Sequence, residues 1–333
     1  MINRTILRIK ILQILFASQS QKKSDVQKQL NDNLKLLHNS IDATYNLYVY
    51  LLYLISNITS YAEQLIDERK NKLLPTEEER NPNMRFVQNK FALQIQENIA
   101  INEYIEKTKF SWKNFDLVLK NIYETIVAQD FYKEYMSKEN SSYEEDKELW
   151  RNIFKSCFYD NEFFEEILEN YSIHWTDNLA IVLTFVIKTI KFFDDKNGAN
   201  QEILPQYQTL DTLSYANELY KDTVLNEEKY LQLIDKQTTA EWDIDRISLM
   251  DKTILQIALA EICTFPTIPI QVSINEYVEL TKIYSDEKNA KFVNGVLDKI
   301  KPLYGCGSLY IFQYMDIGCI LMDCFYTHGS LLY

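Results

Sequence analysis

A chain of 333 residues with 46% hydrophobic and 25% charged residues can bury a substantial core, which excludes wholesale disorder. Six glycines and six prolines are too few for a turn-rich β protein or for glycine-rich phosphate loops, so the predicted class is all-α. The net charge of −13 argues against general nucleic-acid affinity. Its distribution is uneven, however: residues 1–24 carry Arg4, Arg8, Lys10, Lys22 and Lys23 and no acid, which leaves −18 on the rest.

The first predicted element runs from Asn3, a suitable N-cap, to about Gln19. Its apolar residues cover most of the helix circumference, so it should be largely buried, with its few charges marking where it surfaces. Arg4 and Arg8 stand one turn apart. Residues 25–205 are tyrosine-rich and acidic, with helical spacing near 25–70, 84–137, 142–170 and 174–194. Between the first two segments, 70–83 is polar, holds Pro75 and Pro82, and reads as an exposed connection. None of these segments carries a chemical motif.

Residues 206–300 are more informative. The run 242–264 leaves little polar surface and predicts the central helix of a bundle. Ser273-Ile274-Asn275-Glu276 has the spacing of a capping box. In the last helix Phe292, Val293, Val296, Leu297 and Ile300 form an apolar stripe, and Gly295 within it predicts close approach of another backbone or of a ligand. Pro302 should end that helix. Residues 301–333 differ in composition, with four of the six glycines and three of the five cysteines, and read as an atypical, poorly ordered tail.

Two stretches of this sequence resemble the NusB family of transcription antitermination factors. The first is Ile268-Pro269-x-x-Val272-x-Ile274-Asn275-Glu276-x-Val278-Glu279-Leu280-x-Lys282, followed by Lys291-Phe292-Val293-Asn294-Gly295-Val296-Leu297-Asp298-Lys299, and preceded by Asp251-Lys252-x-x-Leu255-x-Ile257-Ala258-Leu259-x-Glu261. The second is Arg4-x-x-x-Arg8 with Gln13-Ile14-Leu15-Phe16. The resemblance implies a NusB-like helical bundle made of 1–24 and 206–300, with 25–205 as inserted helices. It also implies a non-enzymatic factor that binds boxA-type single-stranded RNA with a ribosomal small-subunit protein (NusE) in the RNA polymerase antitermination complex. By position, the implied RNA contacts are Arg4, Arg8, Phe292 and Asn294, and the implied partner contact is Asp251. Arginines at a helix start suit phosphates, and an aromatic can stack on a splayed base. Phe292 also fits the core stripe, and the two arginines fit solvated helix ends.

Other classes find less support. His38, His174 and His328 match no catalytic motif, and neither a dinucleotide nor a nucleotide phosphate loop occurs. The NusB-like domain of an RNA cytosine methyltransferase would need a glycine-rich α/β partner domain that this glycine-poor insertion does not offer. Cys306, Cys319, Cys324 and His328 lack the close-spaced pairs of zinc sites, so no cofactor or metal is expected. Five cysteines without a disulfide framework, no signal peptide and no segment of about 20 apolar residues point to the cytoplasm and away from a membrane. The remaining competitor is a helical protein–protein scaffold without RNA binding.

Overall fold

A computed structural model describes residues 1–19, 26–176, 178–207, 209, 211–237 and 247–304. The tail residues Cys306, Cys319, Cys324 and His328, together with Lys22 and Lys23, lie outside the described residues. Among the described residues the secondary structure is helical, with one isolated parallel bridge between Ile2 and Tyr207. The all-α class follows. No helix among them is long and apolar enough to cross a membrane. The chain divides into two compact units, one of residues 1–14 and 23–216, the other of residues 15–22 and 217–333.

The first unit holds most of α1 (Arg4–Gln19), then α2 (Val26–Lys70), α3 (Glu77–Arg80), α4 (Lys90–Glu97), α5 (Ile99–Thr108), α6 (Asp116–Ala128), α7 (Asp130–Ser137), α8 (Tyr143–Cys157), α9 (Glu162–Tyr171), α10 (Ile173–Thr176), α11 (Leu179–Phe192) and the first residues of α12 (Asp211–Leu225). Its spine is α2, which packs against α4, α5, α6, α10 and α11. Between Leu47 and Thr59 every residue of α2 except Tyr53 is buried. Such a segment must satisfy its polar groups internally. Thr44 and Thr59 donate to the carbonyls of Ser40 and Ile55, both at 2.9 Å, and Asn57 donates to that of Tyr53 at 2.8 Å. Trp112 Nε1 donates to the Tyr50 carbonyl at 2.8 Å, and the Tyr48 hydroxyl meets Thr189 Oγ1 at 2.8 Å.

The windows 84–137 and 142–170 are each divided where the sequence alone suggested continuity. Asparagine side chains make three of the new starts, whereas α6 and α7 begin after Phe115 and Gln129 without a side-chain cap. Asn89, Asn98 and Asn161 accept from the amides of Ala92, Ile101 and Phe164 at 2.9, 3.0 and 3.0 Å. Lys109 and Asp160 adopt left-handed φ of 54° and turn the chain after α5 and α8. The connection 70–83 contains the short α3, opened by a capping box of Thr76 and Glu79.

The start of α1 is capped as expected, with Asn3 Oδ1 accepting from the Ile6 amide at 3.0 Å. The expectation that its charges mark its surface fails at two positions. Arg8 is 3% exposed and Lys10 is 1% exposed, their aliphatic stems packed with the apolar residues around them. Lys10 Nζ points to the His174 carbonyl at 3.5 Å. Ahead of α1, the Ile2 amide donates to the Gln206 carbonyl at 2.8 Å, which ties the first residues to a segment 204 positions later.

The second unit holds the end of α1, the rest of α12, α13 (Glu227–Gln237), α14 (Leu249–Thr264), α15 (Ile270–Tyr284) and α16 (Glu287–Tyr304). Here α14 is the central helix, packed against α13, α15 and α16. It begins at Leu249, where Ser248 Oγ accepts from the Asp251 amide at 3.1 Å. The predicted capping box at Ser273 is not one. Helix α15 opens four residues earlier, after Pro269, whose ring presets a helical start, and Ser273 lies inside it. Pro302 likewise falls within the last turn of α16 and does not end it.

Asn98 tests the asparagine caps. It starts α5, is fully buried, and its Nδ2 donates to the Gln201 carbonyl at 2.7 Å. Replacing it with Ala should lower the free energy of unfolding by about 2 kcal/mol, the sum of a lost cap and an unpaired buried carbonyl. Urea denaturation followed by circular dichroism would measure this.

Candidate RNA and partner interface

Helix α14 is buried on all sides, so each polar group on it needs a partner. Near its start Asp251 is 2% exposed; its Oδ2 accepts from Ser248 Oγ at 2.7 Å and from Asn289 Nδ2 at 2.9 Å. Its Oδ1 is buried without a hydrogen bond. Near the end of α14, Glu261 is fully buried and accepts from Ser273 Oγ at 2.6 Å and Tyr277 Oη at 2.9 Å. One carboxylate therefore ties α14 to the beginning of α16 and the other ties it to α15.

These ties fix which face of α16 looks outward. Ala290, Val293, Val296, Leu297 and Ile300 are buried, as the apolar stripe predicted. At about 100° per residue, Lys288, Gly295 and Lys299 fall within about 40° of one another on the opposite side. Lys291 and Phe292 flank them. Lys288, Lys291, Gly295 and Lys299 are exposed and Phe292 is half-buried. Lys299 Nζ donates to the Gln237 carbonyl at 3.1 Å. Asn294 donates to Asp298 Oδ2 at 3.0 Å and, with Lys291, lines a shallow recess against Val278 and Lys282 of α15.

Gly295 departs from its expectation. A Cβ built there meets no heavy atom within 4 Å, so no neighbouring helix approaches it. Within the described chain the glycine only weakens α16. It leaves bare backbone in the middle of a basic face.

The sequence profile of the NusB family matches residues 186–302. Transcription antitermination protein NusB of Natranaerobius thermophilus is 42% identical over 110 residues, which are 32% of this chain and 77% of that protein. The chain belongs to the NusB family. NusB of Bacillus cereus is 36% identical over 110 residues, 32% of this chain and 85% of that protein, and NusB of Thermodesulfovibrio yellowstonii is 40% identical over 96 residues, 28% and 61%. No solved structure matches the chain. The NusB profile begins within α11, so residues 1–185 of this NusB-family protein lie outside it.

Of the residues singled out in the sequence, Phe292 and Asn294 sit on α16 on either side of the bare backbone at Gly295. Arg4 is exposed on the first unit, its guanidinium 5.3 Å from the centre of the Tyr215 ring. Arg8 is buried and cannot meet a phosphate in this conformation. Asp251 is also buried, so it acts on neighbouring residues of its own chain and offers no exposed surface. Lys288, Lys291 and Lys299 form no motif in the sequence, so only the helix geometry groups them. Glu261 carries a sequence signal, because a lone carboxylate in so apolar a run needs buried partners.

The open space at Gly295 gives a direct expectation. Gly295→Ala should stabilise this NusB protein by about 1 kcal/mol, because the helix gains propensity and nothing obstructs the methyl group. Comparison of urea midpoints at unchanged slope would check it.

Proposed function

We propose that the protein binds boxA-type single-stranded RNA through the outward face of α16, together with a ribosomal small-subunit protein (NusE) in the RNA polymerase antitermination complex. The observation that carries this reading is the lysine-flanked bare backbone at Gly295, with Phe292 at its edge. Lysines there meet phosphates, the glycine lets a strand come close, and Phe292 offers a ring to a splayed base. Asn294, beside Lys291, supplies an amide for a base edge. On the first unit, Arg4 is the phosphate contact of the opening helix, and buried Arg8 supports that helix from within. The protein partner meets the start of α14, where Leu249 is exposed and Asp251 holds Ser248 and Asn289 in place. The proposal places this work in the cytoplasm and gives the chain no catalytic step and no cofactor.

A surface of few cations gives weak, salt-sensitive binding, and a basic partner protein offsets the acidic charge of the rest of the chain. Fluorescence anisotropy with a boxA-like strand and a scrambled control, with and without the ribosomal protein, tests this. Binding should favour the boxA strand and tighten with the partner. Lys288→Ala with Lys291→Ala should lower the slope of log affinity against log salt by about 1.4 for a single strand. Equal binding of both strands, or none even with the partner present, would leave the protein a helical scaffold that does not bind RNA.

A further inference from the structure

The first unit contains a recess that the NusB reading does not use. It lies between the end of α2, α3 and the helices α6 and α7, and has a volume of about 470 Å³, within the range of small-ligand sites, roughly 300–1,000 Å³. Its base is aromatic. The Phe86 ring stands 6.0 Å from Tyr123 and 5.4 Å from Tyr132, and so fixes the rings in place. Val127 and Met136 add apolar wall.

The rim is held open by contacts of its own. Asn83 Nδ2 donates to the Met136 carbonyl at 2.9 Å, which anchors the loop after α3 to the end of α7. The capping box of α3 fixes Thr76 and Glu79, and Lys72 pairs with Glu79 at 2.5 Å. Glu79 is therefore engaged by Lys72 and the α3 cap. It does not neutralise Arg69, the other cation at this rim.

Arg69 is exposed in the last turn of α2 and lines the recess, and its guanidinium has no hydrogen bond or ion pair among the described residues. Arg69 and Tyr132 line the same recess, and burial suppresses the ionisation of the Tyr132 hydroxyl. Glu78 is the second rim charge without such a partner among the described residues.

We propose that this recess binds a ligand with an aromatic body and a carboxylate: the ring rests between Tyr123 and Val127, backed by the buried rings of Phe86 and Tyr132, and the carboxylate is held by Arg69. An apolar recess with one guanidinium at its mouth selects for that combination, because the planar fork of arginine matches a carboxylate with two parallel hydrogen bonds. Two sources share this chemistry. A free aromatic amino acid also carries an ammonium group, which Glu78 can receive. The C-terminal aromatic residue of a peptide carries the carboxylate alone.

Isothermal titration of the full chain with phenylalanine, N-acetylphenylalanine and phenylalanine amide tests the proposal. At least one of the two acids should bind saturably, and the amide should bind it at least about tenfold more weakly, as expected for loss of a charge-assisted pair. Arg69→Gln, at an exposed position, should weaken the acids by a similar factor with an unchanged circular dichroism spectrum. Val127→Trp, which fills the recess from α6, should remove binding. Preference for phenylalanine over its N-acetyl form assigns the free amino acid; the reverse, or equality, assigns a peptide C-terminus. Amide and acids binding alike, no saturable binding at millimolar concentration, or unaltered binding to Arg69→Gln would overturn the proposal.

Discussion

The second unit depends on a helix that, from Thr253 to Ile262, has no exposed side on which to leave a charge. Because α14 is surrounded, its carboxylates have to be answered from the neighbouring helices, and the answers come at opposite ends. Asp251 receives Asn289 from the beginning of α16, and Glu261 receives Ser273 and Tyr277 from α15. Hydrogen bonds to buried carboxylates are directional, whereas apolar packing tolerates rotation. These contacts therefore set the rotational position of α15 and α16 about α14. The lysines and Gly295 face outward as a result, so the character of the proposed RNA face is decided in the interior.

The first unit has one such carboxylate, Asp146, which accepts from Tyr135 Oη at 2.7 Å and from the Lys90 amide at 2.8 Å, and otherwise relies largely on neutral groups. It stops many short helices around one long one, and in three of them the amides of the first turn are met by asparagine side chains at residues 89, 98 and 161. Buried cations here also reach backbone carbonyls, although Lys147 pairs with Glu144 as well. Lys147 donates to the Phe193 carbonyl at 2.8 Å just past the end of α11, where a positive charge also suits the helix dipole. Arg85 donates to the Asn140 carbonyl at 2.8 Å and lies 4.5 Å from the centre of the Tyr135 ring. Carbonyls are free at helix ends, so a body made of short helices has many places to put a buried cation.

The helical class was legible from the scarcity of glycine and proline, and the inner face of α16 from its apolar spacing. What could not be read had a common cause. Periodicity reports that a face is apolar, but it does not say where one helix stops and the next begins with the same period; the breaks at Asn98 and Asn161 were hidden for that reason. Ser273 illustrates another limit, since its capping-box spacing is real but a buried acid twelve residues upstream engages the hydroxyl. Arg8 and Lys10 show that charge is a poor sign of exposure when the stem is long. Gly295 was recognised as unusual, yet the sequence could not show that the space beside it is open.

The hydrogen bond from the Ile2 amide to the Gln206 carbonyl has a kinetic consequence. The residues around Ile2 cannot reach their place until roughly two hundred later ones have been made. At about 5–20 residues per second that is a wait of some 10–40 s. For much of it, the apolar opening helix lacks some of its native partners, since even the His174 carbonyl that Lys10 reaches lies 164 positions later. During synthesis, then, the nascent chain depends on whatever shelters that segment, and the completed first unit closes only when its earliest and latest parts meet.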